Sequence, residues 1–259
     1  MSLRLGGAIT DRINIGSGVS IDNLNPMTIL AWVYPTTLTT NRTIYFKGPS
    51  GSSRRLLRLA DTAGNIQYAV IRASLTNYVT NSAPLANLDR WYLVAATFDS
   101  TAAAGEIVNI YVGTEKALAS EATYGTATDG SGAVTDDAAD DAIWGNVATL
   151  DLSWQGLLGY GAVFNLVLPP AEIHRWQGRS APRAGCRDFH KFGGVLGAGR
   201  QLDESGYGNH GVVTGAVPSF LMPRLSGNLS ELSIPASLTK SWLNSRAEVF
   251  QQPRPVSYR

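Results

Sequence analysis

Short stretches in which apolar positions follow a two-residue period recur along the first two thirds of the chain. The clearest are Met27–Pro35 (MTILAWVYP), Trp91–Phe98 (WYLVAATF) and Ile107–Val112. This period is typical of β-strands, and a repeat of about ten residues per strand is typical of a β-sandwich. Both faces of Met27–Pro35 are apolar, which predicts a central strand.

Three kinds of segment interrupt this rhythm. The stretch from Lys47 to Arg55 is predicted to be a flexible basic loop, and Ala119–Ala142 an acidic, small-residue insertion that buries little. Pro169–Trp176 predicts one short helix, because proline suits a first helical turn. We therefore expect a sandwich over residues 1–178, a linker with a returning strand over 179–218, and an extended arm over 219–259.

Composition narrows the function classes. Charged residues make up 16% of the 259 residues and the formal net charge is +1, so no nucleic-acid partner is expected. No apolar run approaches the roughly 20 residues of a membrane-spanning helix, so no membrane partner is expected either. Cys186 is the only cysteine, which excludes an intrachain disulfide. The N-terminus lacks the pattern of a secretion signal, and we expect a mature or cytoplasmic chain.

Four segments in order resemble the laminin-G-like, or concanavalin A-like, superfamily. They are SLRLGG from Ser2, AWV at Ala31–Val33, RWYLVA at Arg90–Ala95 and VFNLVLPPAEI at Val163–Ile173. The resemblance implies an all-β fold, a two-sheet antiparallel jelly-roll sandwich, here followed by an extended C-terminal arm. The residues expected to be buried in it are Trp32, Val33, Trp91, Val94, Ala96, Ile110, Leu157, Val163 and Leu166.

A further segment, Asp203–Ala216 (DESGYGNHGVVTGA), resembles one that precedes the first strand in many relatives. Here it comes late, so we expect Gly211–Ala216 to lie beside Ser2–Gly7. Similar late segments occur in proteins of tailed bacteriophages. This resemblance implies a structural protein located in the virion, such as a capsid decoration, head-fibre or tail-associated protein. Its partners would be copies of itself and other virion proteins, such as a major capsid protein.

The alternative function is a carbohydrate-binding or adhesion module of lectin type, with a glycan as its ligand. An enzyme is not expected. The superfamily's glucanases use two glutamates flanking an aspartate on one strand, and the chain contains no such run. Asp203 and Glu204 are adjacent and would point to opposite faces of a strand. His210 is interpreted as a structural turn residue and His190 as a polar rim residue.

Candidate ligand-binding residues are tyrosines expected at strand edges or in loops: Tyr45, Tyr78 and Tyr124. Trp32, Trp91 and Trp154 are instead expected in the core. The acidic run supplies the oxygen ligands that calcium prefers, and its candidate ligands are Asp129, Asp136 and Asp137. A solvated acidic loop explains the same residues, and no other cofactor is expected. Arg54, Arg55 and Arg58 are interpreted as solvated by default.

The arm from Ser219 onward combines prolines, which favour extended chain, with spaced apolar residues. We expect it to lie along a neighbouring subunit of a homo-oligomer or capsid-bound assembly. Wrapping around its own domain is the alternative. The candidate assembly residues are Leu221, Met222, Leu225, Trp242 and Phe250.

Overall fold

The computed structural model describes residues 2–49, 54–81, 85, 87–149, 151–196 and 199–223. Strands dominate these residues, and the one α-helix among them lies where the proline pair predicted it. None of the described helices is long and apolar enough to cross a membrane. The elements are β1 (Ser2–Gly6), β2 (Arg12–Gly16), β3 (Met27–Pro35), β4 (Arg42–Lys47), β5 (Arg55–Leu59), β6 (Ile66–Val70), β7 (Asn77–Asn81), β8 (Tyr92–Phe98), β9 (Val108–Thr114), β10 (Ser120–Glu121), β11 (Tyr124–Thr128), β12 (Ala142–Trp144), β13 (Gln155–Phe164), α1 (Pro170–Arg179), β14 (Cys186–Leu196), β15 (Arg200–Asp203), β16 (Gly211–Thr214) and β17 (Val217–Ser219).

The strands form the two antiparallel layers of a sandwich. The first layer runs β10–β9–β8–β3–β13–β1–β17. The second runs β15–β16–β2–β12–β4–β5–β6–β7–β11. The strand β14 pairs with β13 of the first layer and β15 of the second, so hydrogen bonding passes from one layer to the other. The all-β jelly-roll prediction is confirmed.

Strand β3 is central, as its two apolar faces predicted. One face, with Ile29, Ala31 and Val33, packs into the core between the layers. The other face, with Leu30 and Trp32, packs against a second cluster that includes residues of α1. Burial on both faces explains why this strand carries no charged residue. Of the nine residues predicted to be buried, all except Leu166 are, and Leu166 is half-buried.

The late strands pair differently from the prediction. Strand β16 lies beside β2, where Val213 is opposite Ile13. The next strand, β17, takes the place beside β1, with Pro218 opposite Leu3. Gly215 makes the turn between these strands with a φ of +70°, and a Cβ there would lie 2.1 Å from Asp11 Oδ1. The short turn and the glycine therefore direct two successive strands to two different partners.

The structure also corrects two predictions: that Lys47–Arg55 is a flexible basic loop and that the acidic insertion Ala119–Ala142 buries little. Lys47 ends β4 and Arg55 begins β5, and both side chains are almost fully buried. Arg55 Nη2 lies 3.4 Å from Asp137 Oδ2 of the insertion. Lys47 Nζ lies 3.0 Å from Asp22 Oδ1 and 3.8 Å from Asp137 Oδ1. A buried charge needs an opposite charge beside it. Composition did not reveal the pairs with Asp137, because Asp137 lies more than 80 residues from both cations along the chain.

Candidate functional site

The outer face of β15 and β16 exposes apolar and basic side chains side by side. Arg200 of β15 is opposite Val212 of β16, so their side chains share one face. Leu202 lies two residues after Arg200 and therefore on the same face. Leu202 is 38% exposed and Val212 57% exposed. Two apolar side chains thus remain in solvent next to an exposed arginine. We call this surface the β15–β16 face.

The loop that joins β15 to β16 is held from inside by Asp203. Its Oδ1 accepts hydrogen bonds from the amides of Phe189 (3.0 Å) and Ser205 (2.8 Å). Its Oδ2 accepts from Ser205 Oγ (2.8 Å) and the Asn209 amide (2.9 Å). Burial acts to raise the pKa of Asp203, but these donors outweigh it and lower the pKa. The ionised carboxylate thus fixes the loop conformation.

Asn209 fastens the same loop to its surroundings. Its Nδ2 donates to Ser20 Oγ and to the Arg187 carbonyl, both at 2.8 Å. Held in this way, the loop exposes Tyr207, whose side chain is 51% accessible. The Arg187 guanidinium lies 4.8 Å from the centre of the Tyr207 ring and also donates to its hydroxyl. The ring is therefore positioned before any ligand arrives, which lowers the entropic cost of binding.

A pocket of about 80 Å³ opens on the β15–β16 face, lined by Arg200, Gln201, Leu202 and His210. His210 Nδ1 accepts a hydrogen bond from the Asp203 amide at 3.1 Å. An imidazole that accepts through Nδ1 carries its proton on Nε2. His210 is thus a structural turn residue, as expected, and it also lines the pocket.

Beneath this face lies a buried polar group that the sequence interpretation missed. Trp144 Nε1 donates to Asp188 Oδ2 at 3.1 Å, and His190 Nε2 lies 2.9 Å from Asp188 Oδ1. His190 Nδ1 donates to the Leu202 carbonyl at 2.9 Å. The rim position predicted for His190 is wrong, because its side chain is fully buried. Burial acts to lower the His190 pKa, but the Asp188 charge outweighs it and the pKa is raised.

The predicted tyrosines do not form one site. Tyr45 is fully buried against Trp144, with ring centres 4.8 Å apart, so it cannot contact a ligand from the surface. Tyr124 is half-buried, and its hydroxyl accepts from the Ile110 amide and donates to Glu121, which is a structural arrangement. Tyr78 lies in β7, and its side chain is outside the described residues. Strand-edge position was a poor signal because β4 is an interior strand.

The predicted calcium ligands are used in other ways. Asp137 is buried, accepts from the Asn23 amide at 2.7 Å and faces Lys47 and Arg55. Burial raises the pKa of Asp137. Exposed Asp136 accepts from Asn23 Nδ2 at 2.7 Å, while Asp129 accepts from the Gly105 amide at 2.8 Å. Within the described ranges no three acidic, histidine or cysteine side chains come together as a metal site.

Two of the five predicted assembly residues lie in the described part of the chain. Leu221 is 43% exposed, and its carbonyl accepts a hydrogen bond from Ser2 Oγ at 2.5 Å. Met222 is half-buried. Leu225, Trp242 and Phe250 lie outside the described residues.

Sequence reasoning missed Arg200, Leu202, Tyr207 and Val212. Tyr207 stood inside a segment that was singled out for its resemblance, and an aromatic residue among glycines in a turn was the available signal. Leu202 and Val212 gave no such signal, since an apolar residue in a strand is expected to be buried. Only the register of β15 against β14 and β16 shows that these two side chains face solvent.

The architecture defines a two-layer antiparallel β-sandwich of the jelly-roll class. The model of the laminin G 3 family, described as the concanavalin A-like lectin/glucanases superfamily, matches residues 6–174. The chain belongs to this superfamily. A search of curated proteins finds no match.

Solved structures share the fold at low sequence identity. A candidate carbohydrate binding protein of Bacteroides ovatus is 16% identical, with a TM-score of 0.55, over 80% of this chain and 58% of that protein. A heptameric SAP-like pentraxin of Limulus polyphemus is 12% identical, with a TM-score of 0.49, over 68% of this chain and 80% of that one. The CBM40 domain of the IT-sialidase of Ruminococcus gnavus is 14% identical, with a TM-score of 0.44, over 67% and 96%. None of these matches supports a virion role, which stays an untested prediction, as do its virion partners.

Proposed function

We propose that the protein is a non-catalytic carbohydrate-binding module of lectin type, and that the β15–β16 face with Tyr207 is its ligand-contact surface. The observation that carries this proposal is that the loop between β15 and β16 exposes the held ring of Tyr207, while the two strands expose Leu202 and Val212 and border a pocket lined by Arg200, Gln201, Leu202 and His210. Sugars present apolar C–H faces and hydroxyl groups, so they match a surface that mixes an aromatic ring with polar groups.

Preorganisation supports the same proposal. The Asp203 carboxylate and the Asn209 amide together make six hydrogen bonds that hold the loop. A fixed loop that exposes an aromatic ring binds with little ordering cost. The Bacteroides ovatus protein of similar fold carries a name that refers to carbohydrate binding, which agrees with this proposal without locating the site.

A catalytic role is not part of the proposal. Glycoside hydrolysis needs two carboxyl groups that face the scissile bond. Beneath this face both oxygens of the Asp203 carboxylate accept hydrogen bonds from the protein, and Glu204 is 2.6 Å from Lys191 Nζ. Asp188 is fully buried beneath the face. We therefore assign these carboxylates to the structure around the pocket rather than to catalysis.

A glycan array followed by titration calorimetry tests the proposal. We expect at least one oligosaccharide to bind, and Tyr207→Ala to weaken that binding about tenfold or more, because stacking on an aromatic ring contributes on the order of 1–2 kcal/mol. Phe220→Ala is the matched control, since Phe220 is 87% exposed and lies outside the face. Equal loss in both variants, or no saccharide bound by the wild type, contradicts the proposal.

A further inference from the structure

We infer that the ligand carries an anionic group, a carboxylate or sulfate on a sugar, and that Arg200 and His210 bind this group in the pocket. The inference rests on the proposed function and specifies its ligand class. It follows from the chemistry of the pocket lining, which contains the Arg200 guanidinium and the His210 imidazole beside the apolar Leu202 and the buried Gln201.

Arg200 is the charged residue of the pocket. Its side chain is exposed, and within the described residues it makes no hydrogen bond or ion pair with another side chain. A guanidinium offers five N–H donors in a planar fork and no acceptor. The groups that match it best are those that accept through two oxygens, which are carboxylate and sulfate.

His210 can supply a second hydrogen-bond donor to the ligand. Its Nδ1 is occupied by the Asp203 amide, so Nε2–H is the nitrogen left for a ligand. A neutral hydroxyl could satisfy one such donor, but a pocket with a cation and an N–H donor favours an oxyanion. Leu202 and Val212 beside it can contact the apolar side of the same sugar ring.

The charges around the pocket favour the same ligand. Glu204 is paired with Lys191 at 2.6 Å, and the Asp203 carboxylate is buried and fully used by the loop. Arg187 lies against Tyr207 at the end of the loop. Asp141, next to β12 of the same layer, accepts from Asn14 Nδ2 at 2.9 Å. Arg200 is thus left as a cation that these carboxylates do not neutralise.

Calorimetric titration with matched saccharides tests the inference. The probes are a uronic acid oligosaccharide, its methyl ester, a sulfated oligosaccharide and a neutral oligosaccharide of the same length. We expect the uronate or the sulfated probe to bind about tenfold or more tightly than the ester and the neutral probe, which corresponds to one charge-assisted contact. Comparison of the two anionic probes shows which group the pocket accepts.

Two single-residue variants test whether Arg200 causes the preference for an anionic saccharide. Arg200→Gln should remove the preference for the acid over its ester, whereas Arg4→Gln, at an exposed arginine of β1, should leave that preference unchanged. Thermal melting of both variants confirms that they are folded. Tight binding of the neutral probe with no preference for the acid overturns this inference and leaves the proposed function standing. Failure to bind any saccharide overturns both. Equal binding of inorganic polyphosphate, also unaffected by Arg200→Gln, indicates only general anion attraction and overturns the inference.

Discussion

Replacing Asp203 with asparagine tests whether the loop that exposes Tyr207 depends on one buried carboxylate. The side chain is 5% exposed and accepts four hydrogen bonds. An amide keeps the shape but has one oxygen, so it can still accept from Phe189 and Ser205 amides through Oδ1. Its NH₂ group then faces the Asn209 amide, which was 2.9 Å from Oδ2, and two donors meet.

The loss in the free energy of unfolding can be estimated from these contacts. The buried Asn209 N–H loses its acceptor, which costs about 1–3 kcal/mol. The two remaining bonds lose the assistance of a charge, and Ser205 Oγ can rotate to accept instead of donate. We therefore expect Asp203→Asn to lower the free energy of unfolding by roughly 2–4 kcal/mol, and to weaken saccharide binding because Tyr207 is no longer fixed.

Urea denaturation measures the first effect and calorimetry the second. The control is Glu204→Gln, since Glu204 is the adjacent residue but is exposed and forms an ion pair with Lys191. An exposed pair of this kind contributes about 0–1 kcal/mol. If Asp203→Asn costs no more than Glu204→Gln, the carboxylate does not hold the loop and the reasoning is refuted.

Three further predictions concern other parts of the molecule. The raised pKa of buried His190 means that its contribution to stability is complete below its ordinary pKa of about 6.5 and is lost as pH rises through the raised value. The urea midpoint of the wild type should therefore fall as pH rises from below about 6.5 through the raised pKa. A fall of the same size in His190→Gln would show that His190 is not its cause. Arg55 and Lys47 already face Asp137, so calcium or a chelator should leave the melting temperature unchanged, and a clear rise in melting temperature with calcium would count against this. Lys47→Met leaves both Asp22 and Asp137 without that cation and should cost about 3 kcal/mol or more. Removing residues 224–259 keeps β17 and should leave a folded sandwich, and the assembly role predicted for Leu225, Trp242 and Phe250 requires a smaller mass in light scattering; an unchanged mass argues against that role.

The strands and the core residues could be predicted from the sequence because both depend on the local period of apolar positions. Met27–Pro35 shows apolar residues on both faces, and the structure places one face in each of two clusters. The helix at Pro170–Arg179 was readable from its prolines and Glu172. In each case the residues that decide the structure lie within one short segment.

The burial of Tyr45, His190 and Asp137 could not be predicted from the sequence, because contacts with other segments determine it. Tyr45 is buried by Trp144, which pairs with it across β4 and β12. His190 is held by Asp188 and by the Leu202 carbonyl of the next strand. The β15–β16 face was missed for the same reason, since its exposed leucine and valine look like core residues until the strand register is known.

Chemical-shift mapping of amide resonances during titration with a saccharide from the array tests the central claim most directly. The account predicts that the largest shifts cluster at Arg200–Leu202, Tyr207, His210 and Val212, and that Asp129, Asp136 and Asp137 remain unperturbed. Shifts that cluster at another part of the sandwich, or the absence of saturable shifts with every saccharide, would contradict it.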